Sequence, residues 1–108
     1  MTPHTELGHA LARLEATLSS VDLWRTPCPE ATAFDSQEPF CLDTMELPQW
    51  LRYVFIPRLQ ALVDTEAALP VTCQVAPAVE AYLQHAKPST RALVVKAVAD
   101  VDRIVTEA

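Results

Sequence analysis

Asp43-Thr44 is the pair whose residue types and adjacency could do chemistry, because a carboxylate can take the proton of a neighbouring hydroxyl and leave a nucleophile. Such a step also needs a cation or convergent amides to hold the developing charge, and Arg58 is the cation to consider. The same two residues have a cheaper use. Asp and Thr at the head of a helix accept hydrogen bonds from the free amides of its first turn, so the pair is expected to cap a second helix starting between Met45 and Pro48. Arg58, directly after Pro57, is expected to pair with Asp43 or Glu46, with an exposed anion anchor as its functional alternative. Ser36 is expected to form a turn with Asp35.

Other chemistries find less support. Gly8 is the single glycine, and glycine-rich phosphate loops need two or more at fixed spacing, so nucleotide cofactors are not expected. His4, His9 and His85 have no mutual metal spacing, and Cys28, Cys41 and Cys73 form no Cys-x-x-Cys pair. No metal, cofactor or disulfide framework is predicted, and the three thiols are expected to be reduced and structural. Cys41 would become reactive only beside a cation or a helix start that lowered its pKa.

Charge and aromatic content are concentrated in one stretch. Between Thr26 and Leu51 stand Glu30, Asp35, Glu38, Asp43 and Glu46, with no Lys or Arg, in a chain of formal net charge −6. That stretch would repel a phosphate backbone, so direct nucleic-acid binding by this face is not expected. Every aromatic residue except Tyr82 falls between Trp24 and Phe55. Packing of a long loop accounts for part of this, and a binding patch anchored by aromatics is the alternative. Met45 reads as core filler or as part of an interface.

These residues must be positioned by helices, since period-two alternation is absent. Leu7, Leu11, Leu14, Leu18 and Val21 mark one face of a helix from about Pro3 to Trp24, with Thr2 as cap; Gly8 would permit close approach of another backbone. A long connection with prolines at 27, 29, 39 and 48 comes next, and Phe34, Phe40 and Leu42 should pack it back onto the helices. Trp50, Leu51, Val54, Phe55, Leu59, Leu62 and Val63 define a second helix, bent by Pro57. Pro77 opens a short third helix that Pro88 closes. Ser89 caps a fourth, whose stripe is Val94, Val98, Val101 and Val105. The expected architecture is all-α: a single-domain four-helix bundle of 108 residues with a long loop between helices 1 and 2. No apolar run approaches the roughly 20 residues that cross a bilayer, and no secretory leader is recognisable, so a cytoplasmic location is expected.

Trp24, Phe34-x-Ser36-x-x-Pro39-Phe40, then Asp43-Thr44-Met45, Trp50-Leu51, Ile56-Pro57-Arg58, Leu69-Pro70 and Val75-Ala76-Pro77 together resemble the YqcC-like family of small bacterial proteins. The resemblance spans nearly the whole chain and implies an all-helical cytoplasmic protein, without supplying a catalytic residue. Family members are often encoded beside a tRNA pseudouridine synthase, so the resemblance also implies a role near tRNA modification. The leading expectation is a non-catalytic accessory module that binds a protein partner, such as that synthase, through Phe34, Ser36, Pro39, Phe40, Asp43, Thr44, Met45, Trp50 and Arg58. A small enzyme or ligand-binding bundle using Asp43, Thr44 and Arg58 is the alternative, and a homodimer through the fourth helix is a further structural possibility.

Overall fold

A computed structural model describes residues 2–108. Helix α1 (Pro3–Ser20) starts as its sequence dictates: Thr2 is the N-cap, its hydroxyl accepts the Thr5 amide at 3.1 Å, and Pro3 takes a first-turn position where its missing N–H costs nothing. Leu7, Ala10, Leu11, Leu14 and Leu18 are buried. The helix stops short of Trp24. Asp22 adopts a left-handed φ of 65°, and the Leu23 and Trp24 amides both turn back to the Leu18 carbonyl at 2.8 and 3.2 Å. This closure satisfies an end carbonyl and redirects the chain, which apolar periodicity cannot reveal.

Two 3₁₀ turns, Ala31–Asp35 and Pro39–Cys41, shape the long connection. The second helix is one rod in three stretches: α2 (Leu47–Trp50), a π turn (Leu51–Phe55) and α3 (Ile56–Thr65). Pro57 explains the π turn. A proline ring clashes with the carbonyl four residues back and offers no N–H, and the wider turn, in which the Ile56 amide reaches the Leu51 carbonyl, makes room for it. The expected interruption is therefore a local change of pitch.

Helix α4 (Ala76–Tyr82) and helix α5 (Pro88–Glu107) complete the bundle. Pro88 does not merely end the preceding helix; it occupies the first turn of α5, with Lys87 as N-cap. Ser89 lies inside the helix and does not cap it. Helix α1 packs along α5 and α3, and α4 lies on α5. The core joins the α1 leucines to Leu47, Leu51, Phe55, Leu59, Val79, Leu83 and the valine stripe of α5. Val94, Val98 and Val101 are wholly buried, so packing outweighs their weak helix propensity. Gly8 faces the Val63 side chain, 3.5 Å from where a Cβ would stand, and no backbone approaches it closely. Among the described residues no strand forms, and no helix is long and apolar enough to cross a membrane.

Candidate functional site

The loop between α1 and α2 is rooted by side chains from the start of the second rod. Arg52 donates to the Trp24 carbonyl at 2.6 Å, Tyr53 Oη donates to Thr26 at 2.9 Å, and Gln49 Nε2 donates to Pro27 at 2.9 Å. The extended segment 24–27 thus finds side-chain partners for three of its carbonyls, since it belongs to no helix or sheet that could supply amides. The Arg52 guanidinium also lies over the Trp24 ring at 4.7 Å and the Tyr53 ring at 5.0 Å. Cation–π attraction adds to the charge-assisted hydrogen bond. Gln49 serves twice, because its Oε1 accepts the Glu46 amide at 2.8 Å in a capping box at the head of α2.

Glu46 is therefore the N-cap residue, not Asp43 or Thr44. Both of those residues fasten the loop to itself. The Ser36 hydroxyl donates to Asp43 Oδ1 and accepts the Glu38 amide at 3.1 Å. Ser36 thus forms its turn forward, with Glu38, and not with Asp35. Thr44 Oγ1 donates to the Ala33 carbonyl at 2.7 Å, with the Cys41 carbonyl at 3.2 Å. The cap expected of Asp43-Thr44 is pre-empted because another turn closes first: the Thr44 and Met45 amides bond the Cys41 carbonyl at 3.0 and 2.9 Å.

Phe40 and Cys41 pass through left-handed backbone, with φ of 57° and 50°. Conformations of this kind cost a non-glycine residue on the order of 1–2 kcal/mol each and persist only where surroundings hold them. Here the Phe40 ring meets the Trp50 ring edge-on at 5.0 Å, and Trp50 stacks on Phe55 at 5.2 Å. Aromatic packing carries the loop tip down to the core. Met45 is buried.

What remains outside is mixed in character. Phe34 and Leu42 are exposed, at 39% and 52% of their surface. Pro39 is exposed, as are Glu30, Asp35, Glu38, Asp43 and Glu46. Among the described residues the ion pair present is Arg103–Glu107, in the last helix, so none of the five loop acids is neutralised by a cation. Glu46 instead accepts the Tyr82 hydroxyl at 2.7 Å; burial first, and then this carboxylate, push the phenol up to about 12. Arg58 is exposed and makes neither of the ion pairs expected of it with Asp43 or Glu46.

A groove of about 290 Å³ beside the loop is lined by Pro29, Glu30, Thr32, Ala33, Thr44 and Gln49. Thr44 reaches it with its proton committed to a carbonyl, and neither Asp43 nor Arg58 lines it. A hydroxyl, a base and a cation do not converge there. Among the described residues no group of three acidic, histidine or cysteine side chains is arranged to hold a metal ion.

A second polar centre lies across the bundle. Asp102, buried on α5, accepts the Val75 and Ala76 amides at 2.9 and 2.8 Å and the Cys73 thiol at 3.1 Å. Burial and the adjacent carboxylate push that thiol up to about 12, so it remains protonated and unreactive at neutral pH. Neither Asp102 nor Arg52 stands out among the residues that the sequence nominates for a site. The available signal is position: Asp102 follows Val98 by four residues on the buried stripe, and Arg52 sits between Leu51 and Tyr53.

Comparisons with known proteins agree with this architecture. Residues 6–104 match the family model DUF446, described as tRNA pseudouridine synthase C. The chain is 38% identical over 104 residues to the uncharacterised protein YqcC of Escherichia coli K12, covering 96% of this chain and 94% of that one. It is 46% identical over 75 residues to an uncharacterised protein of Haemophilus influenzae, covering 69% and 71% respectively. A 70-residue stretch is 43% identical to the tRNA pseudouridine synthase C of Pectobacterium carotovorum, covering 65% of this chain but 19% of that protein. The solution structure of Escherichia coli YqcC superposes with a TM-score of 0.86 at 36% identity, over 99% of this chain and 91% of that one. Sequence and fold together place the chain in the DUF446 family of YqcC-like proteins.

Proposed function

We propose that this protein is a non-catalytic accessory module that docks through its 30–46 loop onto a tRNA pseudouridine synthase. The observation that carries the reading is the loop surface: five exposed carboxylates without a cationic partner share the 30–46 segment with the exposed Phe34 and Leu42. Unpaired charge of one sign steers a partner of the opposite sign and selects against others, while apolar side chains at the centre supply contact energy. An enzyme that handles tRNA must offer a cationic surface to phosphate, which suits this charge.

The Pectobacterium relative supports the choice of partner. A stretch 43% identical to this chain lies in the same polypeptide as a synthase there. Covalent linkage raises the effective concentration of two modules that work together, and separate chains must replace it by affinity. The rigid rooting of the loop fits docking, because an ordered loop loses less entropy on binding.

Calorimetry between the purified protein and the tRNA pseudouridine synthase C of its own organism tests the reading. Saturable binding that weakens about tenfold on Phe34→Ala plus Leu42→Ala, and weakens with salt, is expected. Absence of heat and of co-elution at high micromolar concentrations would overturn it.

A further inference from the structure

We infer that the 30–46 loop occupies the tRNA-binding face of the synthase, so that this protein and tRNA exclude each other. The inference rests on the partnership proposed above and adds where on the partner the loop sits and how its docking alters activity.

Three observations lead there. The acids of the loop are free of internal cations, although the chain carries eight Lys and Arg residues elsewhere that could have neutralised them. Most of these side chains have no structural duty. Asp35, Glu38 and Glu30 accept no side-chain hydrogen bond within the described residues, whereas Asp43 holds Ser36 and Glu46 holds Tyr82. Uncommitted carboxylates destabilise one another, and a partner that offers cations in return relieves that repulsion.

Apolar contact is available at the same place. Phe34 follows Ala33 in the first 3₁₀ turn and Leu42 follows Cys41 after the second, and the Thr44 to Ala33 hydrogen bond fastens these two turns together. A surface that combines spaced negative charge with an exposed aromatic ring offers a cationic RNA-binding cleft what an unpaired nucleotide offers: anionic oxygens to pair and a flat apolar face to stack. The cationic face of a tRNA-handling enzyme is therefore the complementary part of the partner, and tRNA must leave it before the loop can enter.

The third point is stiffness. The Ser36, Asp43 and Thr44 hydrogen bonds within the loop, and the Arg52, Tyr53 and Gln49 bonds at its root, fix the chain before any partner arrives. A preformed anionic surface competes with tRNA without first being ordered.

The experiment is a competition. Fluorescently labelled tRNA is bound to the synthase and its anisotropy is followed as the intact protein is added, in parallel with calorimetry on the same two proteins without tRNA. Displacement to the free-tRNA value is expected, with the apparent tRNA dissociation constant rising in proportion to the protein added, and the initial rate of pseudouridine formation should fall at subsaturating tRNA. Asp35→Lys plus Glu38→Lys, both exposed and outside the structural hydrogen bonds, should abolish displacement while the far-UV circular dichroism is unchanged. Binding by calorimetry with tRNA retained, or held more tightly, overturns this inference and leaves the partnership intact. Absence of binding in both arms overturns both.

Discussion

Asp102 of helix α5 caps the helix that begins at Ala76, accepting the Ala76 amide at 2.8 Å as well as that of Val75 at 2.9 Å. A cap ordinarily comes from the residue just before the helix. Here that position is held by Val75, which has no acceptor, and the carboxylate arrives from a distant element. Thr106 assists, accepting the Cys73 amide at 3.2 Å one helical turn further along. The short α4 is therefore stable only while docked on α5.

Asp102→Ala leaves these amides buried without partners, and a loss of about 3 kcal/mol is expected. Asp102→Asn keeps an acceptor but not the charge, so its loss should be about half as large. Urea unfolding with intact mutant folds confirmed by circular dichroism measures both.

The neighbouring thiol gives a pH dependence. Cys73 moves from its ordinary 9.0 up to about 12, and Tyr82 from 10.0 up to about 12. A group whose folded pKa is raised keeps its proton after the unfolded chain has released it. Its contribution is therefore complete below the unfolded value and is lost as pH climbs through the interval up to the folded value. Thermal midpoints should fall between about pH 9 and 12, and the fall should be shallower in Cys73→Ser and in Tyr82→Phe. At neutral pH a thiol reagent should label the exposed Cys28 before Cys73.

Gly8 offers a stabilising change. It lies in the interior of α1 with 3.5 Å between a hypothetical Cβ and Val63 Cγ1, an ordinary van der Waals separation. Gly8→Ala should therefore raise stability by about 0.5–1 kcal/mol, through reduced freedom of the unfolded chain and better helix propensity. An increased urea midpoint at unchanged slope is the readout.

The loop fastening is testable as a unit. Ser36→Ala and Asp43→Ala both break the bond between them, so Asp43→Ala should cost about 1 kcal/mol, Ser36→Ala somewhat more because it also frees the Glu38 amide, and the pair together little more than Ser36→Ala alone. Limited proteolysis within 30–46 should accelerate in all three variants. Asp43 would thus affect partner binding through loop order, whereas Glu38 would do so through charge alone.

The reach of the sequence depends on the range of each interaction. Leu7 to Leu18 and Val94 to Val105 announce their helices because burial repeats with the helical period, and Pro57 announces a disturbance because its ring acts on the adjacent turn. Asp43-Thr44 misleads because the chemistry that caps a helix also closes a turn; which one occurs depends on Cys41 and Ala33 reaching the acceptor position first. Arg52 and Asp102 are illegible for a different reason. Their partners lie 28 and 26 or 27 residues away, at backbone groups that no residue type reveals.

The contrast between Arg52 and Arg58 turns this difference into a measurement. Both belong to the second rod, yet Arg52 is half-buried against Trp24 and Tyr53 while Arg58 stands in solvent. Arg52→Ala should cost about 2 kcal/mol, because it removes a charge-assisted bond and two aromatic contacts and leaves the Trp24 carbonyl without its donor. Lysine can place an ammonium near that carbonyl but cannot lie flat on both rings, so Arg52→Lys should recover only part of the loss. Arg58→Ala should stay within about 0.5 kcal/mol of the parent. Trp24 fluorescence should shift in the Arg52 variants and not in the Arg58 variant. Equal losses at the two positions would mean that the segment 24–27 is not what anchors the loop, and the preformed surface proposed for partner binding would lose its foundation.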